Sequence, residues 1–239
     1  MEKLKVVPQT PQQYDEELEA VRARVLHMGG IVEEQLSMAI QALINGDAEL
    51  ARTVVENDAL VNSLEVEIDD KCTQFIARQQ PAASDLRLVL AIIKTINDLE
   101  RIGDEVKRVG KMVREEMNGA LDEEIRQELE HMGELVHEML RHVLDAFART
   151  DMEAAAKVIK ADRKVDIKYK VITRQLITHM AQDPTLIPSI MNVMWAVRAM
   201  ERMGDRCQNI AEYVIYLVIG VNVRHTPLDD ITAEIHSGE

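Results

Sequence analysis

Two carboxylates four residues apart, with a glycine between them, occur twice in this chain, as Glu100-Arg-Ile-Gly-Asp104 and Glu201-Arg-Met-Gly-Asp205. An apolar pattern of helical period runs through both copies, so each pair lies on one helix face, about 6 Å apart along the axis. Like charges so placed repel by roughly 0.2–0.5 kcal/mol on an exposed surface, and by more where water is excluded, unless a cation stands between them. More acids share this spacing. Asp58, Asn62, Glu65 and Asp69 fall on one face of an upstream helical segment, while its downstream counterpart carries Asp162 and Asp166, then Tyr169 and Thr173. Oxygen-only donors suit hard ions such as magnesium, calcium or manganese, with iron also open, and facing carboxylate pairs are able to bridge more than one ion. The competing reading is an ion-pair network with Arg101, Lys107 and Arg108. Gly103 and Gly204 each cost about 1 kcal/mol relative to alanine in a helix interior, which implies that backbone or a ligand comes close at both.

Catalysis finds little support. No phosphate-cradling glycine loop, nucleophile elbow, zincin motif or Cys-x-x-Cys occurs, and no catalytic residue is assigned. A ferritin-like di-iron centre needs Glu-x-x-His on two different helices. Glu128-Leu-Glu-His131 and Glu134-Leu-Val-His137 both fall on one predicted helix. A metal-dependent carboxylate-bridged enzyme and a purely structural helical scaffold therefore stay open as alternatives to a metal-binding protein without catalysis.

The elements that position the acids form a repeat. At an offset of 104, Met28–Val66 overlays Met132–Lys170 with twelve identities in 39 positions, among them Gly29/Gly133, Asp47/Asp151, Asp58/Asp162 and Val61/Val165. The offset falls to 101 at the Glu-Arg-x-Gly-Asp motifs, which places loops near 79–84 and 182–188. Apolar steps of three and four predict helices over 12–45, 48–78 and 84–117, repeated in the second copy, with Asp47 and Asp151 as N-caps. The last helix ends at Gly220. The expectation is an all-α protein of two tandem antiparallel three-helix bundles, 10–119 and 120–220, followed by a mobile tail over 221–239. On the third helix the stripe Leu86, Leu90, Ile93, Asn97, Glu100, Asp104 reads as a core seam that turns acidic halfway along, and Ile190, Met194, Val197, Glu201, Asp205 repeats it. Trp195 reads as either a buried anchor or an interface residue, and Cys72 and Cys207 as small buried hydrophobes.

Composition agrees with this class. Only 3% of the 239 residues are aromatic, and 28 Lys plus Arg stand against 42 Asp plus Glu, a formal charge of −14. That balance opposes nucleic acid as a partner, and it repels anionic lipid, so any approach to a membrane goes through protein partners. Met1–Pro8 has no signal-peptide apolar core and no apolar run reaches 18 residues, so a cytoplasmic location is expected.

The repeated Glu-Arg-x-Gly-Asp helices, the segment Pro81-Ala-Ala-Ser-Asp-Leu-Arg87, and Gly204-Asp-Arg-Cys-Gln-Asn-Ile-Ala-Glu212 resemble the PhoU family of phosphate-specific transport system accessory proteins, over about Tyr14 to Val218. The resemblance implies a cytoplasmic homodimer that is a regulator and not an enzyme. Such a protein represses the phosphate-starvation regulon by coupling a phosphate ABC transporter, through its ATPase, to a sensor histidine kinase. It also implies divalent or trivalent metal ions, magnesium, manganese, iron or zinc, at Asp58, Glu65, Glu100 and Asp104 in the first bundle and at Asp162, Asp166, Glu201 and Asp205 in the second. One departure stands out. After Asp166 the chain reads Ile-Lys-Tyr-Lys where the family commonly has acids, so Lys168 and Lys170 are expected to weaken the second site and leave the first to fill with metal.

Overall fold

In the computed structural model, the described residues are 11–114, 122–224 and 226. They form six long helices: α1 Pro11–Asn45, α2 Ala48–Gln79, α3 Ala83–Arg114, α4 Glu123–Arg149, α5 Met152–Gln182 and α6 Ile187–Ile219, the last preceded by a single 3-10 turn, Pro184–Leu186. The expected helices and both expected loops are present. Residue 10, the predicted end of α3 at 115–117 with the Asn118-Gly119 stop, and most of the tail lie outside the described residues.

Local chemistry sets the boundaries. Gly46 turns the chain at φ +66°, and the Asp47 carboxylate then accepts the amides of Glu49 and Leu50 at the start of α2. In the second copy Thr150 takes the left-handed position at φ 52°, and Asp151 accepts the Ala154 amide to cap α5. Caps of this kind contribute about 1 kcal/mol each.

α1, α2 and α3 pack on one another, and so do α4, α5 and α6, each set an antiparallel bundle. α3 lies against α6 as extensively as it lies against α2, and α1 also meets α4, so a single apolar core runs through both bundles. The partners across α3 and α6 run in opposite directions, Asp98 to Arg206 and Glu105 to Arg202.

The duplicated glycines Gly29 and Gly133 explain the α1–α4 contact. A methyl group on Gly29 would lie 2.4 Å from Leu144 Cδ2, and one on Gly133 would lie 2.8 Å from Ile40 Cγ2. Leu144 is the repeat equivalent of Ile40, so the two contacts are one contact seen twice, related by the internal repeat.

On α3 the expected acidic core seam is displaced, whereas on α6 Ile190 and Val197 of the expected stripe are buried. The buried face of α3 is Val89, Ile92, Ile96, Leu99, Ile102, Val106 and Val109, whereas Leu90 is 39% exposed and Asn97 and Asp104 are exposed. The acids stand at the flank of the seam, where α3 faces α2. Trp195 is 52% exposed, which removes the buried-anchor reading, and Cys72 and Cys207 are buried free thiols. The chain still adheres to the body just past α6: Val223 is buried and the Arg224 guanidinium donates to the Tyr213 hydroxyl at 3.0 Å, so the expected tail does not begin at 221.

Candidate metal centres

Each bundle carries its carboxylates between its second and third helices. In the first, Asp58 of α2 is buried, and its Oδ2 accepts Lys107 Nζ of α3 at 2.6 Å and Asn62 Nδ2 at 3.2 Å. Asp58 Oδ1 and Asn62 Oδ1 are enclosed with no partner among the described residues. Burial pushes the Glu100 carboxyl up from its ordinary range, and Asp104, Glu65 and Asp58 push it further while Arg101 pulls it down. Glu65 is raised by burial first, then by Asp69 and Asp104 against Arg101. The four acids expected here therefore share one electrostatic neighbourhood, with Asp69 beside them.

The second bundle repeats the arrangement with different neutralisation. Asp162 of α5 is buried with no hydrogen-bond or ion-pair partner among the described residues, and burial, followed by the fields of Asp205, Asp166 and Glu201, pushes its carboxyl up to about 7. Glu201 of α6 meets Arg198 Nη1 at 3.0 Å through Oε1, while its Oε2 is enclosed and has no partner among the described residues. Burial and the neighbouring Asp166 raise Asp205, against Arg198, Arg206 and Arg202. The glycine of each motif is what lets its helix close on the acids. A methyl on Gly103 would sit 3.3 Å from Val61 Cγ1, and one on Gly204 would sit 2.9 Å from Asp162 Oδ1. The group that comes close at each glycine is thus a side chain of the facing helix.

Lys168 does not intrude as expected. Its Nζ is held 2.5 Å from Glu128 Oε2 of α4. The lysine that stands among the carboxylates is Lys107, in the first bundle, drawn up by its hydrogen bond to Asp58 and by the fields of Asp104 and Glu100. Sequence spacing places Lys107 on the face of Glu100 and Asp104 but leaves its partner open, because a lysine stem reaches acids on either helix. Both Glu-x-x-His segments lie on α4, as expected, and build no two-helix di-iron set.

The donors are oxygens throughout, the deep ones are short of partners, and the charge is in excess, which fits a hard cation. Among the described residues, no three His, Cys, Asp or Glu side chains converge as a ligand set does, so the clusters offer donors in one neighbourhood and not a closed cage.

The family profile described as PhoU domain matches residues 25–113 and matches again at 129–214, one domain per bundle. The chain belongs to the PhoU family. This PhoU chain is 46% identical over 231 residues to the phosphate-specific transport system accessory protein PhoU of Edwardsiella tarda, covering 97% of this chain and 95% of that one. Its identity to the protein of the same name from Escherichia coli strain K12 is 44% over 219 residues, covering 92% and 90%. The crystal structure of PhoU from Pseudomonas aeruginosa superposes with a TM-score of 0.84 at 45% identity, covering 87% of this chain and all of that one. That of the phosphate transport system regulatory protein PhoU from Streptococcus pneumoniae gives 0.82 at 30% identity, covering 88% and 99%. Both PhoU domains contain one Glu-Arg-x-Gly-Asp motif, on α3 and on α6. No helix of the described residues is long and apolar enough to cross a membrane.

Proposed function

We propose that this PhoU chain regulates phosphate uptake, restraining the phosphate-starvation regulon when phosphate is plentiful by coupling the ATPase of a phosphate ABC transporter to a sensor histidine kinase. It does so as a cytoplasmic homodimer, by binding and not by catalysis, and it reaches the membrane only through those proteins. The observation that carries this reading is the duplicated acidic cluster on an otherwise apolar helical scaffold, in a chain similar over nearly its whole length to phosphate-specific transport system accessory proteins.

Metal ions enter the same proposal. Asp58, Glu65, Glu100 and Asp104 would hold them in the first bundle, and Asp162, Asp166, Glu201 and Asp205 in the second. A bound magnesium, manganese, iron or zinc ion supplies positive charge that neutralises facing carboxylates and ties α2 to α3, or α5 to α6. In the first bundle the Lys107 ammonium already performs part of that task at Asp58. Asp162 has no such counter-charge bonded to it among the described residues, and Arg198 meets Glu201 instead, so in the second cluster an ion gains most at Asp162.

The deciding experiment is genetic. Deleting the gene should release alkaline phosphatase expression in phosphate-rich medium, and a copy carrying the natural sequence should restore repression. Repression that persists in the deletion strain removes the proposed role.

A further inference from the structure

The two halves of the α3–α6 junction are related by the repeat, and the charges break that relation at several positions, Glu105 among them. Glu105 of α3 is buried and accepts Arg202 Nη1 of α6 at 3.0 Å and Arg108 Nη1 at 2.6 Å. Under the 101-residue offset Glu105 corresponds to Arg206 and Arg202 to Arg101. The position equivalent to an acid–base pair is therefore occupied by two arginines. Both line one cleft of about 420 Å³, together with Ile93, Lys94, Asn97, Asp98, Asn209, Tyr213 and Arg224. Such a volume falls in the range of small-molecule sites.

Four cations and one acid share that cleft, and the acid is occupied. Asp98 is buried. Its Oδ1 accepts Arg206 Nη1 and Asn209 Nδ2, both at 3.3 Å, and its Oδ2 accepts the Tyr213 hydroxyl at 2.9 Å. Arg224 donates to the same hydroxyl, with its Nε 3.9 Å from Glu212. Lys94 makes no ion pair among the described residues and lies over the Tyr213 and Tyr216 rings, 5.6 Å from each centroid. Arg101 feels Glu65 and Glu100 of the first acidic cluster but pairs with neither. Concentrated positive charge on a chain of net charge −14 costs self-repulsion locally, and planar guanidinium forks beside an ammonium match a tetrahedral oxyanion.

We infer that this cleft between α3 and α6 binds a phosphate group, free or as a phosphate ester, through Lys94, Arg101, Arg206 and Arg224. It lies across the junction of the two bundles, so its occupancy bears on how they are held together. The inference rests on the cleft alone. A failure of the genetic test above leaves it standing, and its own failure leaves the regulatory reading standing.

Isothermal titration of the chelator-treated full chain at constant ionic strength tests it, with inorganic phosphate, ADP and sulfate in separate arms. The expected result is one phosphate or ADP per chain, weakened at least about ten-fold in Lys94→Gln/Arg101→Gln, a loss on the scale of one or two charge-assisted contacts. Neither side chain is in an ion pair among the described residues, so circular dichroism should match the parent, with melting shifted only by loss of the Lys94 contact with the Tyr213 and Tyr216 rings and of the Arg101 field at Glu65 and Glu100. Arg224→Gln, outside the helices, gives an independent second variant. Tighter ADP than phosphate assigns an ester as the ligand, and the reverse assigns free phosphate. No binding by phosphate or ADP, sulfate binding equal to phosphate, affinity unchanged in both variants, or binding seen only when metal is restored would each overturn it.

Discussion

At Asp162 the fold holds a carboxyl away from water, beside three others, with no cation among the described residues bonded to it. Its proton affinity is raised from the ordinary 3.8 to about 7, so between these values the folded chain keeps a proton that the unfolded chain gives up. Stability from this group is therefore greatest below about pH 4, falls as pH rises to about 7 and is level above, by an amount of the order of 2–4 kcal/mol. Metal-free protein should consequently show a higher urea midpoint at pH 5 than at pH 8, and Asp162→Asn should remove most of the difference; parallel pH profiles for parent and variant would place its origin elsewhere. An ion replaces the missing proton, so added manganese should raise the midpoint of the parent at pH 8. Manganese titration followed by electron paramagnetic resonance should lose more affinity in Asp162→Asn than in Asp58→Asn, because the Lys107 ammonium already occupies Asp58. Spacing puts Glu100 with Asp104, Glu201 with Asp205, Asp58 with Glu65 and Asp69, and Asp162 with Asp166 on shared helix faces, since a step of three or four names the face, whereas the choice of eight ligands among them came from the family resemblance. Which bases meet them was not legible: Lys107 and Lys168 have long stems with acids in reach on two helices, and only packing selects Asp58 for one and Glu128 for the other.

Between helices, the closest approaches are set by glycines that the repeat places in pairs. Gly29 and Gly133 seat Leu144 and Ile40 in the α1–α4 contact, whereas a methyl on the adjacent Gly30 meets nothing within 4 Å. Gly29→Ala and Gly133→Ala should each destabilise by about 1–3 kcal/mol through forced repacking. Gly30→Ala should stabilise by about 0.5–1 kcal/mol through helix propensity alone. Urea unfolding of the three variants checks the order, and a loss at Gly30 equal to that at Gly29 would mean that propensity and not contact sets the effect. The same geometry accounts for the displaced seam on α3. That helix touches α1, α2 and α6, so its apolar arc is wide enough to hold two stripes of helical period. One of them, Leu86, Leu90 and Ile93, leads into Glu100; the other, Val89, Ile92, Ile96 and Leu99, is buried. Periodicity finds the arc, but its centre depends on where three neighbours stand.

Across the whole molecule, the repeat that divides the sequence into two units also joins them. Two matched bundles were readable from twelve identities in 39 positions, yet nothing in that pattern says whether the bundles share a core. They do, because each leaves an apolar face of its third helix to the other, and the charges along that junction are complementary where Asp98 meets Arg206 and Glu105 meets Arg202. A buried carboxylate of this kind loses its compensation if the partner helix departs, so separating the bundles costs desolvated charge as well as apolar area. The intact chain should therefore melt in a single calorimetric transition whose enthalpy agrees with the van't Hoff value. Glu105→Gln leaves Arg108 and Arg202 without their anion, and Asp98→Asn weakens a site that gathers donors from Arg206, Asn209 and Tyr213. Each should lower the stability by about 1–3 kcal/mol while keeping one transition. Two resolved transitions in the parent would show that the bundles unfold independently, and that the junction contributes little to holding them together.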